Sequence, residues 1–515
     1  MTIHRSVRKN TYVDSVSLMS ISTKANQIDG VTQAFVAMGT AMNKEVLANL
    51  ELLTDELEAA TGGDLMVVLE VTDGTDLDAA LGALGDLLDR KNTGATAAET
   101  RYRTLDGALG AHPDANLVLI SVNGAFAARE AQKALVAGKN VMMFSDNVSV
   151  ADERALKELA HDKGLLMMGP DCGTAILGGV ALAFGNAVRR GNIGVVAASG
   201  TGAQEVSVRV HDFGGGISQL IGTGGRDLSE EIGGITMIDG IRALAADPAT
   251  DVIVLVSKPP APSVEDAVLA VAGEAGKPVV VAFLGSARSE SPYPNVTFAS
   301  GTKPAALAAV LATGVDESTL DLHSLNWPLI EEVRGKLAPE QRYVRGLFCG
   351  GTLCDESMFA AIAKYPGHVW SNIQKDPAFV LGAHDAPREH TFIDFGSDEY
   401  TDGKPHPMID PSNRLAAIVA AAKDPEVGVI ALDFVVGLGS HTDPVGVTLP
   451  AIEEAQAIAR ERGHHLEILG YVLGTDLDTP SVAEQVAQLE AVGVTIASSS
   501  TNTGLLAREF VAKEN

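Results

Sequence analysis

The residues of this chain best suited to chemistry lie in the run Ser199-Gly-Thr-Gly-Ala-Gln-Glu205, where glycines and hydroxyls separate a strand-like segment, Gly191–Ser199, from a helix-like one. Backbone N–H groups at a helix N-terminus behind a small-residue turn favour negative charge, so Ser199, Gly200, Thr201 and Gly202 can hold a phosphate or carboxylate. The same pattern also suits a plain N-cap, with Ser or Thr capping, Glu205 in the first turn and glycines allowing tight helix–sheet packing. A later run, Gly350-Gly-Thr-Leu-Cys-Asp-Glu356, repeats it and adds Gly350, Gly351 and Thr352 to the candidate anion set. In Ile221-Gly-Thr-Gly-Gly-Arg-Asp-Leu-Ser229, Gly224 and Gly225 offer amides and Arg226 a bidentate cation; the alternative is a flexible turn with an exposed ion pair. His406 sits in Gly403-Lys-Pro-His-Pro-Met-Ile-Asp-Pro411, where three prolines can hold it still as an acid or base. His406 and Arg226 are thus the candidate catalytic residues. Cys172, in Gly169-Pro-Asp-Cys-Gly-Thr174, has no following histidine before His211 and reads as part of a structural loop. Asp433 and His441, at the end of an apolar strand, form a further candidate pair.

The elements that must position these residues recur in register. Ile221-Gly-Thr-Gly-Gly225 matches Ile393-Asp-Phe-Gly-Ser397, and Asp247-Pro248 before Val252–Val256 matches Asp424-Pro425 before Val429–Leu432. Lys277–Gly285 matches Leu466–Gly474, and Ala299–Thr302 matches Ser498–Thr501. One order of landmarks, twice, predicts a duplicated α/β domain. Short apolar runs alternating with amphipathic stretches predict βαβ units on parallel sheets. Strands are expected at Val31–Met38, Leu65–Val71, Asn116–Val122, Asn140–Phe144 and Leu165–Met168, and helices at Lys44–Leu53, Ala125–Ala137 and Ala151–Lys163. Thr72–Asp78 and Lys91–Ala98 read as surface loops. The expected division is an N-terminal βα region at 1–64, a Rossmann-like domain of CoA-binding type at 65–190, a first repeat at 191–315, a linker at 316–341 and a second repeat at 342–515. The second repeat carries an insertion around Tyr365–Pro411.

At 515 residues the chain is too long for one core. Apolar residues at 46% against 20% charged argue for globular rather than disordered protein. A net charge of −28 argues against a nucleic-acid partner, which would need clustered Lys and Arg. No apolar run approaches the roughly 18 residues of a membrane span, and no secretory signal is visible, so no membrane association and a cytoplasmic location are expected. Three cysteines, Cys172, Cys349 and Cys354, have no metal-ligand spacing and suit a reducing compartment.

The run Gly164–Gly185, with the basic pair, the strand, Ser199-Gly-Thr201 and Gly222-Thr-Gly-Gly225 that follow it, resembles the α subunit of succinyl-CoA synthetase. The C-terminal copy resembles the ligase domain of that enzyme's β subunit. Over almost the whole chain the sequence resembles the FdrA-type acyl-CoA-synthetase-like family, in particular its YahF-like members. That resemblance rests on Asp14–Met19, Val141–Asn147, Met168–Thr174, Ala198–Gly202, Gly225–Ser229, Ser257-Lys-Pro-Pro260 and Pro405–Pro411. It implies a Rossmann-like CoA-binding-type domain followed by two flavodoxin-like succinyl-CoA-ligase-type domains. Synthetases of this superfamily carry phosphate on a histidine after the strand equivalent to Lys277–Leu284, but here no histidine lies between His211 and His323, and Lys258 stands about where a glutamate is expected. The glycine fingerprint for CoA is reduced to Met38-Gly-Thr-Ala-Met-Asn-Lys44, so CoA is suggested by fold analogy alone.

The resemblance implies an enzyme subunit that transfers a carbamoyl or acyl group to or from a small anionic, oxamate-like substrate without a phosphohistidine. Other protein subunits and an oligomer are expected with it. The alternatives are a CoA-dependent acyl ligase or transferase, and a non-catalytic subunit that senses a metabolite.

Overall fold

The computed structural model describes the chain apart from residues 1, 10, 12–17, 19–20, 22–24, 27, 29, 41–42, 45–46, 49–51, 73, 90–100, 384, 402–404 and 513–515. The expected loop at Lys91–Ala98, most of Asp14–Met19 and parts of the expected Lys44–Leu53 helix lie outside the described residues. Two compact units result: residues 1–102 with 403–405, and 103–402 with 406–515.

In the first unit, β1 (Thr2–Arg8), β2 (Val31–Met38) and β3 (Leu65–Val71) form an antiparallel sheet with β3 in the centre. This corrects the expectation that Leu65–Val71 opens a Rossmann-like domain. A continuous apolar run reports burial on both faces but not the direction of its neighbours, and here both neighbours run antiparallel. Met38 therefore ends an antiparallel strand, with the Gly39 amide on the Asp64 carbonyl at 2.8 Å, and part of the Met38–Lys44 fingerprint lies outside the described residues.

The second unit is α/β throughout. A parallel sheet in the order β4 (Leu117–Ile120), β5 (Asn140–Met143), β6 (Met167–Met168) is flanked by helices Gly124–Val136 and Val150–Asp162. Next in sequence is a hairpin, β7 (Thr174–Leu177) and β8 (Val180–Ala183), which joins the following sheet rather than the preceding one. That sheet runs β13 (Val296–Phe298), β12 (Val279–Phe283), β11 (Val252–Ser257), β9 (Arg190–Ala197), β10 (Ile217–Gly222), β7, β8. The last sheet is parallel, in the order β15 (Val369–Ser371), β16 (His390–Asp394), β14 (Tyr343–Phe348), β17 (Val427–Val435), β18 (Glu467–Leu473), β19 (Thr495–Ile496). Reading β9 to β13 against β14 and β16 to β19 gives one strand order twice, as a duplication requires. Strand β16, inside the stretch read as an insertion, is thus the counterpart of β10.

The segment read as a linker holds a helix, Trp327–Lys336, whose Ile330 and Val333 are buried. Pro328 marks the start of this helix rather than breaking it: at the first turn its missing N–H costs nothing, and Asn326 caps the Leu329 amide at 3.1 Å.

The two copies are locked by an exchange of caps. Glu205, on helix Gly200–Asp212, accepts from the Ser500 amide at 3.0 Å, at the start of helix Ser500–Phe510 in the other copy. Glu356, on helix Gly351–Lys364, accepts from the Thr302 amide at 2.7 Å and its hydroxyl at 2.8 Å, at the start of helix Thr302–Ala312. Both carboxylates are buried, which raises their proton affinity. The Tyr471 hydroxyl also donates to Glu205. Glu205 is thus no part of its own helix cap.

Candidate functional site at two facing helix N-termini

Parallel strands send their C-terminal ends to one edge of the sheet, where ligands of open α/β sheets bind. Here two such edges meet. The Gly200 and Gly351 helices point their N-termini at each other: Ser199 Oγ contacts Thr352 Oγ1, and the Thr352 amide donates to Thr201 Oγ1 at 3.2 Å. Ser199, Thr201 and Thr352, expected on two separate turns, therefore belong to one junction. Ser199 also caps its own helix, accepting from the Gly202 amide at 3.1 Å. The cap and the anion readings thus coexist, because the amides of Gly200 and Thr201 meet no protein acceptor among the described residues.

The two turns are not equivalent. In the second copy the amides of Cys349 and Gly350 donate to Asp433 at 2.7 and 2.8 Å, and Arg414 balances the carboxylate at 2.9 Å. A buried side chain thus takes the two amides that precede the helix, so Gly350 is corrected from ligand-binding residue to partner of Asp433. His441 is not the partner of Asp433; its Nδ1 accepts from the Asp443 amide at 3.0 Å. In the first copy the turn borders a small, partly open cleft lined by Asp171, Thr174, Ser199, Gly200 and Gly224 among others. Gly224, at φ +84°, passes so close to Pro170 that a Cβ would lie 2.1 Å from its carbonyl oxygen. Gly225 lies beside the Asp171 carboxylate. Cys172 is buried, and burial pushes its thiol up to about 12, which makes it inert.

Arg226 is elsewhere. Its guanidinium bonds the Val148 carbonyl at 2.8 Å and pairs with Glu153 at 2.9 Å, so Arg226 is corrected from candidate catalytic cation to partner of Glu153. The reason is a buried ionic cluster: Glu153 and Asp227 flank Lys157 at 2.9 and 2.7 Å, and Arg226 supplies the second cation.

The charged groups at the junction are ones that the motif reading passed over. Lys258, just beyond β11, pairs with Asp355 at 3.1 Å. Burial works against its charge, but Asp355 and Asp394 hold the ammonium above its ordinary proton affinity. Asp394, at the end of β16, is 5% exposed, and burial raises its carboxyl to about 7. Its Oδ1 accepts from the Gly396 amide at 2.8 Å, whereas Oδ2 takes no hydrogen bond from the described residues. Gly351 admits this carboxylate: a Cβ there would lie 2.7 Å from Oδ2 and 3.8 Å from Lys258 Nζ. His406 lies beside the same corner. Its Nε2 would be 2.6 Å, and Asp394 Oδ1 3.1 Å, from a Cβ placed on Gly396. Its Nδ1 accepts from the Met408 amide at 3.2 Å, and burial lowers the ring to about 4, so it is neutral with its proton on Nε2.

Comparison with known proteins agrees with this architecture. Residues 188–285 match the family described as CoA binding domain, residues 347–510 match CoA-ligase, and residues 1–103 match "AllF, heavy metal-associated domain". Residues 1–103 contain no cysteine, and among the described residues no group of three or more His, Cys, Asp or Glu is placed to hold a metal, so these residues do not fit a metal centre. The cleft at the Ser199 turn does not fit CoA either: it is smaller than the ~300–1,000 Å³ pockets of drug-sized ligands and has no basic lining residue. Protein YahF of Escherichia coli (strain K12) is 60% identical over 513 residues, covering 100% of this chain and 99% of that one. The α subunit of the ADP-forming succinate–CoA ligase of Aquifex aeolicus is 30% identical over 177 residues, covering 33% of this chain and 57% of that one. A dinucleotide-forming acetyl-coenzyme A synthetase from Ca. Korarchaeum cryptofilum aligns over 77% of this chain and 82% of its own at 18% identity, with a TM-score of 0.28. The chain therefore belongs to the same family as protein YahF, within the succinyl-CoA synthetase superfamily of CoA-binding and CoA-ligase domains.

Proposed function

We propose that the chain is a subunit of an acyl-CoA-synthetase-type enzyme that transfers a carbamoyl or acyl group to or from a small anionic substrate of oxamate type, without a phosphohistidine. The observation that carries this reading is the junction of the two helix N-termini. There the amides of Gly200 and Thr201 meet no protein acceptor among the described residues, and Lys258 stands beside the Gly351 turn. No histidine lies between His211 and His323, which spans the stretch after β12 where the superfamily's phosphate carrier is expected. In this reading the Ser199 turn holds the phosphate or carboxylate of the substrate by amides and hydroxyl. Lys258 offsets the charge that grows on the departing group, which is the preorganised electrostatic help such transfers need. Partner subunits, an oligomer and a cytoplasmic location go with the proposal. The three cysteines are free and buried, as suits a reducing compartment.

Calorimetric titration with carbamoyl phosphate, oxamate and CoA tests it. Carbamoyl phosphate and oxamate are expected to bind the full chain and to lose about tenfold or more in affinity in Ser199→Ala and in Lys258→Met, the scale of one lost charged hydrogen bond. Binding of CoA alone, or affinities unchanged in both variants, would remove the reading.

A further inference from the structure

The cleft beside the Ser199 turn contains a hydroxyl with nothing to bond. Thr174, at the start of β7, lines the cleft and is 2% exposed, yet its Oγ1 meets no hydrogen-bond partner. That oxygen faces the helix start: it is the atom nearest to a Cβ placed on Gly200, at 3.7 Å. Buried hydroxyls are normally paired, so this one marks the place of a group from outside the protein. Further donors converge there. The amides of Gly200 and Thr201 head the helix and the Gly224 amide belongs to a second lining loop; none of these meets a protein acceptor among the described residues. Lys157 stands behind that loop. Its Nζ donates to the Thr223 carbonyl at 2.9 Å and so polarises the peptide whose N–H belongs to Gly224.

Asp171 is the exception among these donors. It is exposed, lines the same cleft, and holds Oδ2 3.5 Å from a Cβ placed on Gly225. Its loop is fixed by the Asp171 amide on the Ser145 carbonyl and the Cys172 amide on the Met143 carbonyl, both at 3.0 Å. A carboxylate accepts up to about four hydrogens on its two oxygens, so Asp171 can take one from a ligand besides any from the protein. Neutral donors with one carboxylate among them repel a bare anion and suit an anion that carries a hydrogen.

We infer that this cleft holds phosphate in a proton-bearing form and that Asp171 is the residue that selects it. The phosphate oxygens accept from the Gly200, Thr201 and Gly224 amides and from the Thr174 hydroxyl, while the P–O–H group donates to Asp171. This deepens the group-transfer reading, and rests on it, by assigning phosphate rather than carboxylate to the Ser199 turn. Sulfate has the size and shape of phosphate but no proton at neutral pH, so it would set its charge against Asp171 with no hydrogen between them.

Calorimetric titration of the full chain with inorganic phosphate and with sulfate, near neutral pH, tests the assignment. Phosphate is expected to bind about tenfold or more tighter than sulfate, because a site built to bond a hydroxyl rejects the analogue that lacks it. Asp171→Asn, which keeps the shape and can donate as well as accept, should erase the preference by gaining sulfate. Thr174→Val should weaken both anions alike and leave the preference intact, whereas a merely structural Thr174 would lower stability and leave affinity unchanged. Equal affinity for the two anions, or a preference retained in Asp171→Asn, overturns the selecting role of Asp171. Carbamoyl phosphate titrated alongside separates the two readings: if it binds while phosphate and sulfate do not, this assignment falls and the group-transfer reading stands, and if none of them binds, both fall.

Discussion

Asp394 makes a statement about stability. Its carboxyl holds a proton to about pH 7 in the folded chain, against about 3.9 for an unfolded aspartate. Folding therefore takes up a proton between about pH 4 and 7, and stability falls as pH rises across that window, with the full penalty present above it. At about 1.4 kcal/mol for each tenfold change in proton affinity, Asp394→Asn should stabilise the chain by on the order of 2–4 kcal/mol at pH 8 and by little at pH 4. Urea unfolding at the two pH values checks this, and an equal effect at both would refute it. The residue was visible in the sequence in one way only: in the repeat, Asp394 stands where the first copy has Gly222, and Asp433 stands where it has Val256. A buried acid replacing a glycine or valine between two copies of one domain is a functional signal, and motif reading passed over it. Arg226 misled for the opposite reason. Its glycine-rich context was legible, but the buried Glu153 that captures it lies 73 positions earlier and only folding brings the two together.

At the scale of elements, the strand-turn-helix units of the repeats could be read from apolar runs and glycines, because each is a local pattern. The exchange of caps could not. Glu205 and Glu356 look in sequence like first-turn acids of their own helices, and only the packing of one copy on the other shows that each serves the opposite copy's last helix. Removing such a cap leaves a buried helix N-terminus without its acceptor. Glu356→Ala is therefore expected to cost about 2–4 kcal/mol, because the amide and hydroxyl of Thr302 both lose their partner. Chemical denaturation monitored by circular dichroism measures this, and a loss below ~0.5 kcal/mol would show that the exchange is incidental. The same limit explains the linker helix: Pro328 reads as a breaker until its place in the first turn is known.

At the scale of the molecule, the duplication was legible because five landmarks keep one order, and the two sheets repeat one strand order. What the duplication concealed is that the copies have diverged in charge. One turn borders a cleft, and in the other Asp433, with Arg414 behind it, takes the Cys349 and Gly350 amides. The antiparallel sheet of residues 1–102 was not legible, since burial does not reveal strand direction. On the proposed reading, the asymmetric pair of turns gives a single anion site per chain, although the sequence carries the pattern twice. The most direct measurement is the stoichiometry of carbamoyl phosphate binding by calorimetry, in the wild type and in Ser199→Ala. One molecule per chain, weakened by Ser199→Ala, is the result expected. Two molecules per chain with similar affinity, or a single site indifferent to Ser199, would contradict the account.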